Sequence, residues 1–65
     1  MKIQYFPDTD TLFLSFNARP VADTRDLDEN TLLDLDTDGN IVAITVEDAK
    51  DRADLDHFAF ERLAA

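Results

Sequence analysis

The chain has 65 residues, with 15 acids against 6 Lys and Arg, one His, a formal net charge of -9 and no cysteine. That allows one small acidic domain over residues 1–65, and so short a chain, without disulfides or a Cys-based zinc site, buries only about 60% of its unfolded surface. The charge excludes direct binding of nucleic acid or anionic lipid, which Lys and Arg drive; a 45% apolar content excludes an acidic disordered tail; and runs such as Ile41 to Ile44 are far below the roughly 20 residues of a membrane span.

The first element expected is a hairpin over residues 1–17. Ile3 and Tyr5 alternate with Lys2 and Gln4 until Pro7 removes a backbone donor, and Asp8-Thr9-Asp10 supplies turn chemistry. The return strand places Leu12, Leu14 and Phe16 on one face and Thr11, Phe13 and Ser15 on the other. Phe6 and Phe13 would then form a second apolar face that another sheet could cover.

Residues 18–30 read as an acidic connection, with Asp23, Asp26, Asp28 and Glu29 crowded together and with Val21 and Leu27 as its anchors, in a short extended pairing. The second hairpin spans 31–47. Thr31 to Leu35 and Ile41 to Val46 flank Asp38-Gly39, a strong local turn signal. Leu33 and Leu35 should share a face with Val42, Ile44 and Val46.

After Glu47 the apolar spacing lengthens to about 3.6, with Leu55, Phe58, Ala59 and Leu63 on one stripe. This predicts a C-terminal helix over 51–64, capped by Asp51 or Asp54. Phe60 lies off the stripe, a large aromatic that a monomer would leave in water. The fold class expected is α+β: an antiparallel β-sheet of two successive hairpins followed by a C-terminal α-helix.

Two chemistries compete with a plain interaction role. Asp34-x-Asp36-x-Asp38-Gly39-x-Ile41 copies the spacing of a calcium-binding loop, so Asp34, Asp36 and Asp38 are candidate metal ligands, but the twelfth position holds Thr45 and the flanks read as strands where that motif needs helices. Ser15 and His57 are the one serine and the one histidine. Ser15 sits in a strand interior without the sharp glycine-flanked turn of a hydrolase serine, and His57 lacks a partner nucleophile. No catalytic constellation emerges, and no cofactor is implied.

The pattern Met1-Lys2-Ile3-x-Tyr5-x-Pro7-x-x-Asp10-x-Leu12-x-Leu14, then Val21-x-x-Thr24, then Leu35-Asp36-x-Asp38-Gly39-Asn40-Ile41-Val42-x-Ile44 and Glu47-Asp48-Ala49 resembles the small bacterial DUF2283 family over about residues 1–49. The family pattern usually has an aspartate at Phe6 and Gly or Ala at Ala43. The resemblance implies a β-hairpin domain with a terminal helix and carries over no catalytic residue. Some members lie beside genes for small toxin-like proteins, which implies an antitoxin-like, partner-binding role.

The sequence therefore points to a non-enzymatic protein-interaction module in the cytosol, without a secretory signal. It is expected to be a homo-oligomer, most simply a homodimer, with Leu55, Phe58, Phe60 and Leu63 as partner-binding residues and an acidic surface suited to a basic protein. The alternative is a divalent-cation module at the 34–38 turn.

Overall fold

The computed structural model describes residues 1–64. Five strands run β1 (Lys2–Phe6), β2 (Thr11–Ser15), β3 (Asp23–Asp28), β4 (Thr31–Leu35) and β5 (Ile41–Val46), and a single helical turn, α1 (Ala49–Arg52), follows. All neighbours pair antiparallel in one sheet of order β1-β2-β5-β4-β3.

Both expected hairpins form. In the first, Tyr5 pairs with Leu12 and Ile3 with Leu14. In the second, Leu33 pairs with Ile44 around a turn in which Gly39 takes φ 84°, a backbone conformation that glycine adopts at little cost. The hairpins are not simply successive, however. The long-range pairing of Leu14 with Ile44 and Leu12 with Val46 joins β2 to β5, so that β5 is the central strand with β2 and β4 on either side, and its run Ile41–Val46 is the richest in β-branched residues.

Within residues 18–30 the extended pairing forms, and it is a full edge strand where a connection was expected. Asp23–Asp28 is a strand, fully exposed, hydrogen-bonded to β4 with an irregularity between Asp26 and Asp28. Backbone pairing stabilises it, together with the bond from the Ala22 amide to the Leu35 carbonyl (2.8 Å). Val21 and Leu27 do not anchor it, since both side chains stand in water. Two residues, Glu29 and Asn30, then suffice to turn into β4.

The helix expected over 51–64 is also corrected. Only Ala49–Arg52 is helical, it starts after Asp48 at φ 53° with no side-chain cap from Asp51 or Asp54, and Ala53 is already extended. An isolated helix of this length is marginal in water, and Asp, His and Phe are weak helix formers. Asp54 competes directly: its carboxylate accepts the Asp56 amide (3.2 Å) and lies 2.9 Å from His57 Nδ1, local bonding that favours turns.

Residues 53–60 instead run as a tail over the face that bears Ile3, Leu12 and Leu14, with Ala53, Leu55 and Phe58 closing a cavity of about 150 Å³ against them. Among the described residues no second sheet or long helix covers the rest of that face. The molecule is a plate of 36 × 34 × 18 Å. Its most buried apolar residues are Ala43, Val42, Leu35 and Ala49, and among the described residues no large side chain reaches full burial. Among the described residues no helix is long and apolar enough to cross a membrane.

Candidate interaction surface

Three polar clusters hold the loops, and each uses up groups that could otherwise do chemistry. Asp10, at φ 53°, accepts the Tyr5 hydroxyl (2.8 Å) and the Lys50 amide (3.0 Å) on Oδ1, while its carbonyl accepts the Ala49 amide (3.1 Å). The first hairpin turn is thus tied to α1. The hydrogen bond to the Asp10 carboxylate, with some loss of water and the negative charge itself, pushes the Tyr5 phenol above its usual range.

Asp36 organises the second turn. Its Oδ1 accepts the amides of Asp38 and Asn40 (both 2.9 Å), and its Oδ2 accepts Arg19 Nη1 (3.2 Å). The Asn40 amide above all, with Arg19 and the Asp38 amide adding, holds this carboxyl below the ordinary carboxylate range. Asp34 accepts the Thr24 hydroxyl across to β3 (2.8 Å), and Asp38 projects into solvent. The three candidate metal ligands therefore do not meet at one point. Among the described residues no group of three His, Cys, Asp or Glu side chains could hold an ion.

Arg52 makes the third cluster. Nη1 donates to the carbonyls of Asn30 (2.8 Å) and Glu47 (3.2 Å), and Nη2 to the Thr31 hydroxyl (2.7 Å) and Asp28 (3.4 Å). Asp28 is held below its usual range, first by the Asn30 amide, then by the Thr31 hydroxyl and the Arg52 charge. Sequence reading did not single out Arg52, because a lone arginine in an acidic segment gives no sign that it docks onto carbonyls two strands away.

Ser15 and His57 are kept apart. Ser15 lies on the face of Phe13, where its hydroxyl donates to the Asn17 carbonyl (3.3 Å). His57 rides on the tail over the opposite face.

What remains open is apolar. Of the four residues expected to bind a partner, Leu55 turns down onto Leu12 and Leu14, and Leu63 stands exposed. Phe58 and Phe60 are 73% and 68% exposed, and with Met1 and Ile3 they line a groove of about 400 Å³ that has no ionisable side chain in its wall. Alternation along β1 and β2 puts Met1, Ile3, Leu14 and Phe16 on this same face, so the apolar area continues from the groove across the sheet. Phe6 and Phe13 lie on the other face, opposite Thr11 and Gln4. Acids crowd β3 and the turns, and Asp54, Asp56 and Glu61 stand on the tail itself.

No curated protein and no solved structure matches the chain. The family model for DUF2283, a protein of unknown function, matches residues 2–50. The matched stretch contains Tyr5, Asp10, Asp36 and Gly39, whose observed work is to hold turns. The chain belongs to the DUF2283 family.

Proposed function

We propose that this member of the DUF2283 family is a non-enzymatic protein-interaction module that self-associates. The observation that carries the reading is surface area. The chain exposes 5219 Å², whereas a compact monomer of 7.4 kDa exposes about 4,200 Å². The excess of about 1,000 Å² matches what each partner contributes to a stable interface, about 800 Å². Shape agrees with area: the radius of gyration is 13.0 Å, against about 10.7 Å for a compact chain of this length.

The acidic edge supports a second role within the same reading, attraction of a basic protein in the antitoxin-like manner. Opposite charge would raise the rate of such an encounter and make it salt-sensitive. Among the described residues the polar side chains are engaged in holding turns, which supports an interaction role.

The test is light-scattering mass after size exclusion, at two salt concentrations and up to about 100 µM protein, a range that reveals even weak dimers. A mass of twice 7.4 kDa or more at both salts supports self-association. A folded monomer throughout refutes it.

A further inference from the structure

We infer that the occupant of the Met1, Ile3, Phe58, Phe60 groove is the same groove of a second copy, so that two plates close face to face around a two-fold axis with their tails between them. The inference rests on the self-association reading and adds to it the face and the symmetry.

Area and charge select this face. Phe58 and Phe60 each keep roughly 140 Å² in water, from their exposures and a full aromatic area near 200 Å². Together they supply about a third of one partner's share of a standard interface, before Met1, Ile3 and Phe16 are counted. Aromatic anchors of this kind carry most of the affinity where interfaces have been dissected.

Two chains of formal charge -9 repel, so contact between copies is least costly where carboxylates are farthest from the seam. The groove comes nearer to that condition than the Asp-rich β3 edge does. Its lining side chains are apolar, and the ionisable side chains beside it on the tail are Asp54, Asp56 and Glu61, with Arg62 and with His57 at 2.9 Å from Asp54. The exposed strand with Asp23, Asp26 and Asp28 lies at the far end of the strand order from β1. A basic partner would seek that edge, and an uncharged groove offers it nothing.

A two-fold axis follows because the patch must complement itself, with Phe58 and Phe60 of each copy entering the groove of the other. The contact would give each chain the second layer it lacks, since antiparallel sheets are stable with one face packed and one in water.

The experiment is sedimentation velocity on the full chain, from about 1 to 100 µM, comparing the wild type with Phe58→Asp/Phe60→Asp and with Leu27→Asp, a control on β3 whose side chain is also exposed. The double variant should raise the dimer dissociation constant by more than about a hundredfold, while Leu27→Asp leaves it within about threefold. Added salt should strengthen the wild-type dimer by screening like charges. A dimer that survives in the double variant overturns the inference and leaves self-association standing, with the Phe6 and Phe13 face as the place to look. A wild type that stays monomeric overturns both. If circular dichroism shows that the double variant has lost its sheet, Phe60→Glu is scored in its place by the same criterion, since that side chain lies mostly in water.

Discussion

The neighbours Ile41 and Val42 test the plate architecture directly, because the larger side chain should matter less. Val42 is 5% exposed at the centre of the sheet and Ile41 is 42% exposed. Val42→Ala removes two buried carbons, about 1.6 kcal/mol at 0.8 per group, and the void left beneath the neighbouring chain raises the cost to about 2–2.5 kcal/mol. Ile41→Ala removes three carbons, but little more than half of that area was ever taken from water and no closed void forms, so the cost is about 1–1.5 kcal/mol. Both changes lose a β-branched residue for alanine on the same strand, so the propensity terms nearly cancel. A chain of this size shifts its Tm by about 4–8 °C per kcal/mol. Thermal melts followed by circular dichroism should therefore place Val42→Ala about 10–15 °C below the wild type and Ile41→Ala about 5–8 °C below. All samples must share one protein concentration, since self-association raises Tm with concentration. An Ile41→Ala melt as low as that of Val42→Ala would refute the burial argument.

Three further outcomes follow from the turns. Gly39→Ala meets no atom within 4 Å, so its cost is purely that of holding φ 84°, about 1–2 kcal/mol; Gly39→Asn should cost less in the same melts, because asparagine tolerates this region. Tyr5 is the one tyrosine and there is no tryptophan, so phenolate absorbance reads it alone; its midpoint should lie above the usual value of about 10, and Asp10→Asn should bring it down by removing the charged acceptor. Asp36 is depressed in the folded state, so its stabilisation is complete above the unfolded carboxyl pKa of about 3.9 and is lost as pH falls through the lower folded value. Denaturant melts of Asp36→Asn should thus lie furthest below the wild type near neutrality and converge on it in strong acid, and a gap that does not narrow would contradict this assignment.

The two hairpins were legible because their signals are local: Pro7 with the Asp-Thr-Asp turn, and Asp38-Gly39 between alternating runs. The pairing of β2 with β5 was not, since nothing within either hairpin names a partner some thirty residues away. Strand β3 was legible only as a short extended pairing, because its composition hides its length. Asp-Thr-Arg-Asp-Leu-Asp has weak strand propensity, and it pairs through its backbone and small polar links such as Thr24 to Asp34. The tail misled in the opposite direction: apolar residues at helical spacing lie on a segment too short and too rich in Asp to propagate a helix, so tertiary contact at Leu55 decides its course. At the surface, Phe58 and Phe60 could be flagged by size and position, whereas Met1 and Ile3 join them only because the tail crosses β1.

A one-layer sheet has two edges as well as two faces, and free edges invite endless growth. Open growth of the sheet must use both edges, either with β1 of one copy against β3 of the next or with β1–β1 and β3–β3 contacts in alternation. Blocking one of the two edges is therefore enough to prevent it. The β3 edge is the blocked one: it bears Asp23, Asp26 and Asp28, and its ladder is broken between Asp26 and Asp28, two devices that discourage strand addition. The β1 edge has only Lys2 as a charge and ends at Pro7, so it is less protected. It can still meet only another β1, and a contact of like with like is complete at two copies. The acids that read from the sequence as part of a connection thus have a physical consequence in the fold: they discourage strand addition at the β3 edge, and with it growth of the sheet through both of its edges.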